Sequence, residues 1–168
     1  MNYHDITHDD LKNGDGVRVV LWVAGCEHHC QACQNPVTWD PNDGLLFDMK
    51  AAMEIYHELS KDYVSGLTFS GGDPLHPSNR RDVLLLAQTV KAWFPMKTVW
   101  LYTGYLWEQV QDKPDISEIL QYIDVLVDGR FDNELKDVSY PWAGSTNQRV
   151  IDVQKSITEG RVIIHESR

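Results

Sequence analysis

Four short runs rich in β-branched and aromatic residues each break off at a glycine-bearing sequence, with helical patterns between them, and that alternation constrains the fold more than any other feature. The runs occupy residues 17–24, 66–70, 98–102 and 124–127, and they end at Gly25-Cys26, Gly71-Gly72-Asp73-Pro74, Thr103-Gly104 and Asp128-Gly129. After the first run, Asp48 can cap a helix whose apolar face is Met49, Ala52, Met53, Tyr56 and Leu59. Ser78 can cap a second, with the face Val83, Ala87, Val90 and Phe94 closed by Pro95. Ile116, Ile119, Leu120 and Ile123 mark a third, residues 161–164 read as a last short strand, and the polar, turn-rich stretch 131–148 reads as loop. Such alternation predicts parallel strands joined by crossover helices. The loops after the C-terminal ends of the strands then share one face, where the sites of these folds sit. A full eight-unit barrel takes about 250 residues, so a chain of this size has room for roughly five units. The expected fold is therefore α/β, a partial, open (β/α) barrel with parallel strands, in a single domain spanning residues 1–168.

Fifteen Lys and Arg against 25 Asp and Glu give a formal net charge of −10, which argues against a nucleic-acid or anionic-membrane surface. There is no run of about 18 apolar residues, and the opening Met1-Asn2-Tyr3-His4-Asp5 has neither the basic nor the apolar part of an export signal. A soluble, cytoplasmic protein is expected. All three cysteines fall between positions 26 and 33, unlike the spread of a disulfide framework. Cys26-x3-Cys30-x2-Cys33 instead offers three thiolates in one loop leaving a strand. Two metal chemistries suit that set. A 4Fe-4S cluster normally takes four thiolates, so three leave one iron open to a substrate. Zinc would be closed by a fourth ligand from His28, His29, His4 or His8. Trp22, Trp93 and Trp100 lie in apolar segments and read as core, His28 and His29 as solvated loop residues, and Asp9-Asp10 beside His8 as a solvated turn.

The cysteine spacing after a first strand, followed by Ser70-Gly71-Gly72-Asp73-Pro74-Leu75 after the next, resembles the radical S-adenosylmethionine superfamily. Further matching pieces are Met1-Asn2-Tyr3, Asn13-Gly14, Gly25-Cys26, Asn35, Thr38-Trp39, Thr103-Gly104-Tyr105, Val127-Asp128-Gly129, Gly144-Ser145 and Asn147-Gln148. With them the chain resembles, nearly end to end, the activating proteins of the anaerobic (class III) ribonucleoside-triphosphate reductases. It departs from their usual pattern at Ala32 and Gln34 (Gly and Tyr in the family), at Asp15 (Pro) and at Arg130 (more often Lys). Trp39 or Tyr105 are candidates to replace the missing aromatic against adenine.

The resemblance implies one 4Fe-4S cluster per chain on Cys26, Cys30 and Cys33, the catalytic set, with S-adenosylmethionine chelating the fourth iron. It implies cofactor contacts at Ala32, Cys33, Gln34, Gly71, Gly72, Asp73, Thr103 and Asp128, Asp73 accepting a hydrogen bond from the methionine ammonium. The implied reaction is reductive cleavage to a 5'-deoxyadenosyl radical that generates a glycyl radical on the reductase catalytic subunit. The implied electron donor is reduced flavodoxin or a similar small carrier, with a homodimer as a possible assembly. Residues 144–148 are a candidate for cofactor or partner contact. Two other readings stand beside this one: an activase of another glycyl-radical enzyme, and a zinc-stabilised, non-catalytic binding module.

Overall fold

A computed structural model describes residues 1–167, and in it seven strands form one mixed sheet in the order β3-β1-β2-β4-β5-β6-β7. The four strands expected from sequence, β2 (Val17–Val23), β4 (Val64–Gly71), β5 (Thr98–Tyr102) and β6 (Val125–Asp128), are its parallel centre. The all-parallel expectation is corrected at both margins. β1 (Asn2–Asp10) pairs antiparallel with β2, β3 (Leu45–Leu46) with β1, and β7 (Arg149–Asp152) with β6. Residues 161–164 are not a strand; Ile164 makes one isolated bridge to Ile151.

Side chains alternate across a strand, and here the alternation sorts two environments. Val19, Leu21, Val23, Leu67, Phe69, Val99, Leu101 and Leu126 face the helices and form the main core with them. Arg18, Thr68, Trp100, Val125, Val127 and Val150 alternate with these, and the last three valines cluster with Trp100, Tyr102 and Trp142 on the opposite face.

Asp48 caps α1 (Met49–Leu59) as expected, accepting from the Ala51 amide at 3.0 Å. The buried stripe is Ala51, Ala52, Ile55 and Leu59, however, and Met49 and Met53 are exposed. Two alanines let the helix backbone lie close to the sheet, which a methionine stripe would prevent. α2 (Arg80–Trp93) begins after Asn79 rather than Ser78. The Asn79 amide does not cap the helix; it donates to Ala24 O and Asp73 O, joining the ends of β2 and β4. The third expected helix is broken into α4 (Pro114–Ser117) and a 3-10 turn, though Ile116, Ile119, Leu120 and Ile123 are buried as read. α3 (Trp107–Asp112) and α5 (Val153–Glu159) complete the helices. Trp100 is core, Trp22 is half-buried, and Trp93 is corrected to an exposed position at the end of α2, where its ring lies tilted against that of Tyr56 with centroids 5.1 Å apart.

Arg18 is the unusual member of the second face. It is fully buried and, among the described residues, meets no carboxylate in hydrogen-bond range; its guanidinium donates to Thr68 Oγ1, Leu67 O, Thr98 Oγ1, Thr98 O and Asp15 O at 2.6–3.0 Å. One side chain thus ties β2, β4 and β5 to the turn before β2. Burial pulls its pKa down to about 10, which leaves it charged at neutral pH.

Candidate functional site

The cysteine loop leaves β2 and is closed at its base by backbone. The Gly25 amide donates to Thr38 O at 2.7 Å and the Cys26 amide to Trp39 O at 3.0 Å, while the Gly72 and Asp73 amides reach back to Val23 O and Gly25 O. Those contacts explain the glycine pair. Gly71 has φ +103°, which disfavours any side chain, and a Cβ on Gly72 would come within 2.5 Å of Gly25 O. Cys26, Cys30 and Cys33 are unpaired, partly exposed thiols, and all three line one cavity of about 1000 Å³. Gln34, Asn35 and Trp39 continue its loop wall, Gly71, Gly72, Thr103, Gly104 and Gly129 come from the strand ends, and Trp22, Ser70 and Tyr102 from the sheet. Residues 136–144 with Arg130 and Phe131 form the far side.

Burial pushes the Cys26 thiol up to about 11, against the pull of the His28 and His29 amides on its sulfur. Burial likewise raises Cys30, against the Phe131 amide and the Arg130 charge. Thiols held protonated in this way become ligands when a metal cation displaces the proton. Three unpaired thiols on one cavity wall, each with a backbone amide directed at its sulfur (His28 and His29 at Cys26, Phe131 at Cys30, and Asn35 at Cys33 at 3.4 Å), fit the donor set of an iron-sulfur cluster, where such hydrogen bonds tune the potential. Among the described residues no three His, Cys, Asp or Glu side chains are placed to hold a single metal ion. A cluster does not ask for that, because each thiolate binds a different iron. The histidines that zinc would need are otherwise engaged: His28 lines the same cavity but is bonded to Asp73, His8 is bonded to Glu54, His4 lies 4.0 Å from Asp43, and the exposed His29 packs edge-on against Trp39.

A family model described as a 4Fe-4S single cluster domain matches residues 12–151. The chain is 45% identical over 150 residues to the anaerobic ribonucleoside-triphosphate reductase-activating protein of Enterobacteria phage T4, an alignment covering 89% of this chain and 93% of that protein. It is 41% identical over 152 residues to the protein of the same name from Escherichia coli strain K12, covering 89% and 97%. For the Vibrio cholerae protein the figures are 42% over 150 residues, with 88% and 96% covered. The chain belongs to the anaerobic ribonucleoside-triphosphate reductase-activating proteins. Nearly the whole length of these activating proteins is therefore represented in the sheet, the cysteine loop and the cavity.

Within this activating-protein scaffold the residues expected at the cofactor separate into two groups. Cys33, Gln34, Gly71, Gly72 and Thr103 line the cavity; Ala32, Asp73 and Asp128 do not. Asp128 is fully buried and turned to Arg149, with Oδ–N distances of 2.5 and 3.0 Å, and it accepts from the Trp107 amide at the start of α3. Asp73 is buried among protein donors: the Leu75 amide, Thr103 Oγ1, the Gly104 amide and His28. Of the two aromatics proposed for the adenine, Trp39 lines the cavity with its buried indole N–H unpartnered, whereas Tyr105 packs between His28 and Lys113. In the 144–148 segment Ser145 is buried, Gln148 accepts from the Gly144 and Ser145 amides, and Gly144 and Gln148 reach the cavity wall.

Ala32 is exposed with φ +57°, a left-handed conformation that costs an alanine about 1–2 kcal/mol and a glycine almost nothing. Ala32→Gly is expected to raise unfolding stability by up to about 1 kcal/mol, the remainder being offset by the entropy of glycine in the unfolded chain. Urea denaturation of the iron-free protein checks this; an unchanged or lower midpoint would count against strain at that residue.

Proposed function

We propose that this chain is the activating enzyme of an anaerobic ribonucleotide reductase, a radical S-adenosylmethionine protein whose sheet is a partial, open barrel of that superfamily. The observation that carries the reading is the convergence of three unpaired cysteines on one large cavity at the C-terminal ends of β2, β4, β5 and β6. When bound, the cluster would supply one low-potential electron to S-adenosylmethionine, splitting it into methionine and a 5'-deoxyadenosyl radical that takes a hydrogen atom from a glycine Cα of the reductase.

The chain's own part is to bind, orient and exclude water. Cys26, Cys30 and Cys33, all on the cavity wall, would hold three of the four irons. Gly71 and Gly72 offer backbone with no side chain in front of it, so an amino-acid end can approach closely. Gln34 and Thr103 add polar groups to the cavity wall, and Trp22, Trp39 and Phe131 add apolar lining that would limit water beside a bound cofactor. At about 1000 Å³ the cavity stands at the top of the ~300–1,000 Å³ range of small-molecule sites, leaving room for a strand of partner protein beside the cofactor. On this reading the partners are the reductase catalytic subunit and reduced flavodoxin or a similar carrier, in the cytoplasm, with residues 1–168 acting as one domain. No helix among the described residues is long and apolar enough to cross a membrane.

The test is anaerobic. The protein is reconstituted with iron and sulfide, reduced with dithionite and given S-adenosylmethionine, and 5'-deoxyadenosine is quantified by chromatography; the reductase subunit is then added and the glycyl radical sought by electron paramagnetic resonance. Cleavage followed by a radical on that subunit is the expected result. Bound zinc with no cleavage would overturn the reading, and a radical formed only on a different glycyl-radical enzyme would reassign the partner.

A further inference from the structure

His28 lies midway between two of the cysteines, where sequence suggests a solvated loop residue, yet its side chain is only 6% exposed. Its Nε2 stands 2.6 Å from Asp73 Oδ2. A carboxylate can only accept, so Nε2 carries the hydrogen and donates; Nδ1 is buried with no partner, as that tautomer requires of a bare lone pair. The ring packs edge-on against Tyr105 at 4.7 Å and lies so close over Gly104 that a Cβ there would come within 2.3 Å of it. Asp73, 2% exposed, accepts in turn from the Leu75 amide, Thr103 Oγ1 and the Gly104 amide at 2.8–3.0 Å. One buried carboxylate therefore joins the ends of β4 and β5 to the middle of the cysteine loop.

We propose that His28 is a positioning residue: through its hydrogen bond to Asp73 it latches the segment from Cys26 to Cys30 onto the strand ends and holds the thiols in the arrangement that receives the cluster. The inference rests on the cluster reading above. The base of the loop is fixed by the backbone pairs at Gly25 and Cys26, but those pairs leave its far side free to swing; the latch removes that freedom. Asp73 is correspondingly the hub of the latch, its oxygens facing protein donors.

The experiment follows the cluster rather than turnover. In reconstituted protein kept anaerobic, the visible absorption is bleached with an iron(II) chelator, and wild type is compared with His28→Ala and His28→Gln, the latter retaining an N–H at similar reach. Outer-shell partners of metal ligands typically change affinity by about 10–100-fold, so bleaching of His28→Ala is expected to be at least about 10-fold faster, with His28→Gln within about 3-fold of wild type. Equal rates for wild type and His28→Ala would overturn the latch, as would equal acceleration by both variants. If His28→Ala does not fold, Thr103→Val, which strips one donor from Asp73, is read in its place, with unchanged bleaching as the overturning result. If wild type assembles no cluster, the cluster reading falls. The latch is then decided by alkylation of Cys26 in the iron-free chain, expected about 10-fold faster in His28→Ala and refuted by equal rates.

Discussion

Cys30→Ala is expected to leave the fold standing and remove the chemistry. The chain has three cysteines and no fourth to substitute, and on the proposed reading a cluster already one thiolate short of the usual four would be left with two. Cys30 is in the loop, outside every strand and helix, with its side chain partly exposed, so its truncation opens no core cavity. After reconstitution we expect less than about a tenth of the wild-type iron and a loss of 5'-deoxyadenosine formation beyond about 100-fold, equivalent to at least ~2.7 kcal/mol at the transition state. Circular dichroism of the variant should match wild type. Full iron and undiminished cleavage in Cys30→Ala would show that the ligand set has been misassigned.

Arg18→Met is expected to do the opposite, damaging the fold far from the thiols. Methionine fills most of the volume, but it donates nothing to the oxygens of Thr68, Leu67, Thr98 and Asp15 that the guanidinium now serves. A buried acceptor stripped of its donor costs about 1–3 kcal/mol. Leu67 O and Thr98 O lie within the strands of the sheet, so the full sum is not reached; a loss of about 4 kcal/mol is expected, a large share of the ~5–15 kcal/mol that holds a domain together. Arg18→Lys is expected to recover little of it, since an ammonium cannot spread donors over two strands and a turn from one plane. Urea denaturation of the iron-free chain measures both variants, and a midpoint within experimental error of wild type would show that Arg18 is dispensable.

The parallel centre of the sheet was legible because its strands are buried on both faces and read as continuous apolar runs. β1 was not, because Asn2–Asp10 is almost wholly polar and buries only Ile6; it is a strand through its pairing with β2, which no local pattern announces. Of the α1 face, Ala52, Tyr56 and Leu59 pack as expected, while Met49 and Met53 are exposed and Ala51 and Ile55 take their place, the small alanines allowing close approach to the sheet. At the site, the thiols and the glycine pair were visible as spacing. His28 was not, since a histidine in a polar loop becomes a buried partner only once β4 and β5 bring Asp73 and Gly104 beside it. Asp128 is the converse case. Its place at a strand end suggested a ligand contact, while the arginine that claims it, Arg149, lies 21 residues on in a strand that was not expected.

The stitching at the base of the cysteine loop has a bearing on how such a protein lives with air. Both ends of the loop are pinned by backbone amides and carbonyls, Gly25 to Thr38 and Cys26 to Trp39, and no cysteine side chain takes part in those bonds. Iron lost to oxygen would leave that frame in place. On the proposed cluster reading, oxidative damage would then be a matter of refilling a standing receptacle rather than rebuilding a chain, provided that its three sulfurs are returned to the thiol state.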